Sequence, residues 1–200
     1  MTRDTIQTTQ NRKVRKLPEY LSAQEVTQLL NAASKTRYSL RDQALILLTF
    51  RHGFRASEVV ALEWRQIDLK AATILVDRLK GSNGSVQTLE ADEARLLARL
   101  KKESDDSAWV FLSERKDGPI KADTFLKLMA RLGKQAGFAK KLHPHMLRHG
   151  CGYELVNSGA STRQIQAYLG HRNLANVEIY TQLNANAFRG FGKRIGGRVK

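Results

Sequence analysis

Apolar side chains recur every third or fourth position over residues 21–33, "LSAQEVTQLLNAA", placing Val26, Leu29, Leu30 and Ala33 on one helical face. Ser22 followed by Glu25 is the spacing of a capping box, so the helix starts there. "SLRDQALILLTFRHG" (39–53) predicts a second, more buried helix, with Ser39 as cap and Gly53 as stop. A short helix, "ASEVVALEW", follows directly. The pattern then changes. "TILVDR" and "VQTL" are β-prone runs separated by "LKGSNGS", a glycine and serine turn, and predict two strands around a tight turn. "EADEARLLARLKKE" returns to helix, "WVFL" predicts a short strand, and "DTFLKLMARLGKQAG" predicts an amphipathic helix stopped by Gly137. Pro144 can open a helix in its first turn, over "PHMLRHGCGYELVNSG". "STRQIQAYLG" and "NLANVEIYTQL" predict two further short helices, capped by Ser161 and Asn173.

The chain of 200 residues shows no internal repeat and no second-domain linker. The expected fold class is therefore mainly α with a small antiparallel β-sheet or hairpin (α+β), in one domain over residues 18–190. Residues 1–17 have no periodicity and read as a flexible basic arm; residues 191–200 read as a basic, glycine-rich tail.

Composition changes this picture in one respect. Thirty-four lysines and arginines against 19 acidic residues give a net charge of +15, which points to a polyanionic partner, most simply nucleic acid. Cys151 is the single cysteine, so neither an intrachain disulfide nor a thiolate metal cluster is available. The longest apolar run, "ALILLTF", is too short to span a bilayer, and the polar start lacks the apolar stretch of a signal peptide. A cytoplasmic protein is expected.

The densest chemistry lies in "HPHMLRHGCG" (143–152). On a helix, His145, Arg148 and His149 share one side. The i, i+4 histidines invite a zinc reading, but Met146 stands where a hydrolytic zinc motif needs glutamate, and Arg148 repels a cation. Locally hydrogen-bonded histidines are the plainer alternative. An anion reading needs convergent donors, and "HGFRASE" (52–58) supplies Arg55, with Glu58 one turn away to hold it. Taken alone, that pair is equally a surface ion pair.

"HGFRASE", "HPHMLRHGCG", "YLGHRN" and "YTQLN" occur in the order seen in the tyrosine recombinases, the phage-integrase family, and the chain resembles that family from about Leu17 to Phe188. The wording looks most like the short recombinases that invert fimbrial promoter switches in bacteria. The resemblance implies the tyrosine recombinase catalytic-domain fold. It also implies that Arg55 and Arg148 are the catalytic arginines, Glu58 the acid supporting the first, His145 and His171 the catalytic histidines, and Tyr180 the nucleophile. Lys80, beside the β-turn, looks like the family's hairpin lysine. His143 and His149 fall on no catalytic position and are read as structural, or as supports lying behind the catalytic side chains.

The chemistry implied is attack by Tyr180 on a DNA phosphodiester, giving a 3′-phosphotyrosine and a free 5′-hydroxyl, with bond energy conserved for resealing. Tyrosine, with a pKa near 10, is a weak nucleophile at neutral pH, so the site must stabilise charge on phosphorus. Two arginines would each supply about 3 to 4 kcal/mol, by comparison with oxyanion-hole donors. Lys80 would protonate the leaving oxygen, His145 would work on the tyrosine proton, and His171 would donate to the phosphate. No metal or other cofactor is required. The partners implied are double-stranded DNA with inverted repeat sites, a homotetramer at synapsis, and DNA-bending accessory proteins. Most members clamp DNA between two domains. A basic arm alone implies fewer phosphate contacts and more salt-sensitive binding. Two other functions remain open: a non-enzymatic regulator using "GASTRQIQAYLGHRNLANVEIY" as a helix-turn-helix, or a type IB-like nicking-closing topoisomerase.

Overall fold

The computed structural model describes residues 19–78, 84–104, 107–115, 117–171 and 173–181. Lys80, the arm over 1–17, the tail over 191–200 and the boundary at 190 lie outside the described residues.

The capping box at the start of α1 (Ala23–Ala33) forms as the spacing requires. The Ser22 backbone N–H donates to Glu25 Oε2 at 2.8 Å, and the Glu25 N–H donates to Ser22 Oγ at 3.3 Å. α2 (Ser39–His52) is apolar around most of its circumference, with Leu40, Ala44, Leu45, Ile46, Leu47 and Leu48 all buried. A helix so apolar has to sit inside, and α2 packs against α1, α4 and α6. Ser39 is its first helical residue rather than its cap; Tyr38 takes the cap position without a side-chain hydrogen bond, its ring lying 4.4 Å from the Arg41 guanidinium. Gly53 stops the helix in the left-handed region at φ 59°.

α3 (Ala56–Val60) ends earlier than its pattern suggests. The chain beyond it pairs with residues 108–110: Val110 N–H donates to Leu62 O and Trp64 N–H to Ala108 O, both at 2.9 Å. A 3-10 turn at Trp64–Gln66 follows. "WVFL" accordingly makes isolated bridges, Glu63 with Trp109 and Leu112 with Pro119, because the partner on each side is a single extended residue. The sheet is antiparallel in the order β1 (Ile67–Asp68), β2 (Thr73–Val76), β3 (Ser85–Thr88). β1 is too short to show a period in the sequence. Register pairs Ile74 with Gln87 and Val76 with Ser85. Ile74, Val76 and Gln87 are buried, whereas Leu75 and Val86 are exposed.

α4 (Ala91–Lys102) and α5 (Ala122–Gln135) cover the core, α5 through Phe125, Leu128, Met129 and Leu132. α6 (Pro144–Asn157) begins at its proline and crosses α2 closely. At Gly150 any Cβ would collide with Leu21 O and come within 2.8 Å of the Phe50 ring. α7 (Thr162–Leu169) is capped by Ser161, whose Oγ accepts from Gln164 N–H at 3.3 Å. Before α8 (Ala175–Thr181), Asn173 Oδ1 accepts from Ala175 N–H at 2.9 Å.

Among the described residues, two clusters of buried apolar side chains result. The large one runs from Leu21 through α2, the sheet, α4 and α5 to Leu147. The small one joins Cys151 and Val156 of α6 to Ile165 and Leu169 of α7 and Val177 and Tyr180 of α8. No helix among the described residues is long and apolar enough to cross a membrane.

Candidate active site

The turn that ends α2 brings Arg55 and Glu58 together. Glu58 lies in the first turn of α3, where its Oε2 accepts the Arg55 backbone N–H at 2.8 Å and its Oε1 accepts from Arg55 Nη1 at 2.5 Å. The pair read from "RASE" is therefore formed, with Glu58 buried and the Arg55 side chain a third exposed. Burial alone would raise the Glu58 pKa. The bonds from Arg55 and the charges of Arg78 and Arg55 outweigh it and hold the carboxyl below its ordinary value.

Arg148 reaches the same turn from the middle of α6. Its Nη1 donates to Gly53 O and its Nη2 to Leu169 O at 2.7 Å, with Glu58 Oε2 at 4.0 Å from Nη1. Burial, then the charges of Arg78 and Arg55, lower its pKa to about 10, so it remains a cation at neutral pH.

The third guanidinium is Arg78, just beyond β2, which sequence reasoning did not single out. Its side chain is 0% exposed and donates to four oxygens: Gly53 O and Glu58 Oε2 at 3.0 Å, His52 O at 2.9 Å and Tyr168 O at 2.7 Å. The period of two did carry a signal. With Ile74 and Val76 facing inward, Arg78 continues the inward series, where a charge must find partners. Three guanidiniums now surround one carboxylate and leave an excess of two positive charges. An uncompensated buried cation pair is costly unless an anion arrives.

Tyr180 is 1% exposed, against the inner side of α6. Gly152 makes its seat: a Cβ there would lie 2.6 to 2.8 Å from three ring carbons. The Tyr153 ring meets it edge-on at 5.2 Å, and the His171 ring lies parallel at 6.3 Å. Burial pushes the Tyr180 phenol up to about 12, against the pull of the Arg148 charge. Its hydroxyl shares a 3.0 Å hydrogen bond with His149 Nδ1. His149, read from the sequence as structural or as a support behind the catalytic side chains, touches the candidate nucleophile.

His145 sits at the rim of the site with its ring 5.5 Å from that of His149. Desolvation of its inward side, followed by the charges of Arg148 and His143, lowers its pKa. Burial and neighbouring charge bring His149 and His171 down to about 4, so both are neutral at physiological pH. His171 Nδ1 is buried and finds no partner among the described residues. The structure thus gathers Arg55, Glu58, Arg148, His171 and Tyr180, with His145 beside His149. A cavity of about 600 Å³ between α1, α5 and the α1–α2 turn lies away from all of them.

A helical domain with this sheet, and with an arginine cluster facing a tyrosine, is the arrangement of a tyrosine recombinase catalytic domain. The model of the phage integrase family matches residues 19–187, and the chain belongs to that family. It is 40% identical over 195 residues to the type 1 fimbriae regulatory protein FimB of Escherichia coli (strain K12), covering 95% of this chain and 97% of that protein. It is 38% identical over 181 residues to the type 1 fimbriae regulatory protein FimE of the same strain, covering 88% and 91%. Among solved structures, the XerA recombinase superposes with a TM-score of 0.77 at 29% identity, over 92% of this chain and 67% of that one.

Proposed function

We propose that this chain is a site-specific DNA recombinase that cuts and rejoins DNA through a 3′-phosphotyrosine at Tyr180. The observation carrying the proposal is the excess positive charge around Glu58, set beside a tyrosine. A phosphodiester brings the missing negative charge, and the transition state brings more, so the site binds the transition state better than the ground state. Arg55, Arg148 and His171 hold the non-bridging oxygens. The hydroxyl proton leaves Tyr180 toward the His149–His145 pair, His145 relaying it as general acid/base. Lys80, by its resemblance to the hairpin lysine, protonates the departing 5′-oxygen. No metal or cofactor enters this scheme.

The similarity to FimB and FimE supports a finer reading: inversion of a promoter segment between inverted repeats to switch a fimbrial or other surface structure, in the bacterial cytoplasm and on nucleoid DNA. Four copies act at synapsis, residues 18–190 serve as the catalytic domain, and the basic arm and tail engage DNA or a neighbouring copy. DNA-bending accessory proteins assist.

Covalent capture tests the core of this. Wild type and Tyr180→Phe are incubated with fragmented host DNA and denatured in detergent, and the DNA still attached to protein is sequenced. Attachment by wild type alone, with paired inverted repeats in the reads, is the expected result. Native DNA binding without capture by either protein would instead favour the regulator. Relaxation of supercoiled plasmids lacking any common sequence would favour a topoisomerase.

A further inference from the structure

We infer that Arg78 is the positioning residue of the phosphate site: sealed from solvent, it ties Glu58, the α2–α3 turn and the C-terminal end of α7 into one unit and so keeps Arg148 off Glu58, with one hydrogen on each Arg148 Nη left for the phosphate. The inference rests on the recombinase reading above.

The argument starts from Glu58, one carboxylate among three guanidiniums. Arg55 takes Oε1 at 2.5 Å and Arg78 takes Oε2 at 3.0 Å, which leaves Arg148 at 4.0 Å. Without Arg78, Oε2 would be a buried, half-satisfied acceptor with Arg148 as a ready donor. A buried carboxylate recruits the nearest cation, because leaving it unpaired costs more than moving a side chain. Arg148 would collapse onto Glu58 and lose its aim. Arg78 prevents this by occupying the oxygen itself.

The second half concerns α7. The carbonyls of its last turn carry the negative end of the helix dipole, and two guanidiniums meet them: Arg78 on Tyr168 O at 2.7 Å and Arg148 on Leu169 O at 2.7 Å. Gln87 adds an Nε2–H to Tyr168 O at 3.2 Å, joining β3 to the same point. His171 follows two residues after Leu169, so its position depends on where α7 ends. Gly170 makes room for this clamp; a Cβ there would lie 2.7 Å from Arg78 Cγ. The root of the β2–β3 turn, two residues before Lys80, is thereby fixed to the cluster. Arg78 has both hydrogens of each Nη committed to protein oxygens and so has none of them to offer a phosphate.

The test uses Arg78→Gln, which removes the charge, and Arg78→Lys, which keeps the charge but loses the fork. The first readout is an NMR titration of the His171 ring in the free protein. Arg78 is one of the cations holding its pKa at about 4. Arg78→Gln should move the midpoint up by about half a unit or more, while Arg78→Lys stays near wild type. An unmoved midpoint in Arg78→Gln, or equal movement in both variants, overturns the inference. The second readout is the rate of Tyr180–DNA adduct formation on captured fragments, beside their affinity. The expected outcome for Arg78→Gln is an adduct rate about 100-fold lower, affinity within about threefold, and partial recovery in Arg78→Lys. Affinity and adduct falling in parallel would make Arg78 merely structural. If wild type forms no adduct at all, the recombinase reading falls, and the titration still decides the role of Arg78.

Discussion

His149 Nδ1 lies 3.0 Å from the Tyr180 hydroxyl, and the two side chains come from different helices, α6 and α8. A phenol that is 1% exposed needs a hydrogen-bond partner, and a histidine with its pKa lowered to about 4 is neutral and can serve as one. The bond therefore stabilises the fold and determines where the hydroxyl points.

A double-mutant cycle of Tyr180→Phe and His149→Ala should give a coupling of about 0.5 to 1.5 kcal/mol in urea unfolding. His149→Ala alone should cost about 1 to 3 kcal/mol, because it strands a buried hydroxyl. Additive single variants would show that the bond contributes nothing to stability.

Gly152→Ala places a methyl 2.6 to 2.8 Å from the Tyr180 ring carbons. The ring is rigid and has to move, at a cost of about 1 to 3 kcal/mol. Tyr180 should then become accessible to nitration by tetranitromethane, whereas in wild type it is protected. Equal nitration of the two proteins would mean that Gly152 is not its seat.

Acid should weaken the fold early. His149 and His171 titrate at about 4 when folded, against 6.5 for a free histidine, so the unfolded state binds more protons between those values. Stability from this source is full above pH 6.5 and is lost as pH falls toward about 4. With partial solvent screening allowed for, each histidine contributes on the order of 2 kcal/mol. Glu58, held below 4.5, adds a loss in the same direction at lower pH. Urea midpoints should therefore drop between pH 7 and 5, and drop less in His171→Gln. A flat profile over that range would contradict the assignment.

Gly170→Ala combines two penalties, a left-handed φ of 63° and the approach to Arg78. It should destabilise the chain by about 1 to 3 kcal/mol, and its adduct rate should fall along with that of Arg78→Gln. Differential scanning calorimetry and covalent capture together check this; wild-type values in both would count against the clamp.

Most of the helices could be read from the chain because their signals are local: the Ser22–Glu25 box, the Gly53 stop, Pro144 at a first turn. β1 could not be, since a two-residue strand has no period; "WVFL" is legible as extended, but its reduction to single bridges at Trp109 and Leu112 is dictated by other parts of the chain. Motif wording singles out Arg55, Glu58, Lys80, His145, Arg148, His171 and Tyr180; the structure brings Arg55, Glu58, Arg148, His171 and Tyr180 together, sets His145 beside His149, and does not describe Lys80. The contacts of Arg78 and His149 are not legible in the sequence, for a common reason. Each acts through a partner far along the chain, Tyr168 for one and Tyr180 for the other, so only tertiary packing shows what it does. Arg78 did leave a trace in the inward alternation of β2.

The division of the apolar side chains into a large and a small cluster has a thermal consequence. Glu58 stands on α3 and Arg55 caps it, and Val59 and Val60 of α3 belong to the large cluster; Tyr180 is a member of the small one. Arg148 falls in sequence between Leu147 of the first and Cys151 of the second. A smaller cluster opens at lower free energy than a whole domain. On warming, amide protons of α7 and α8 should exchange before those of α2, and the protein should pass through a range where it still grips its partner but has lost the means to cut it.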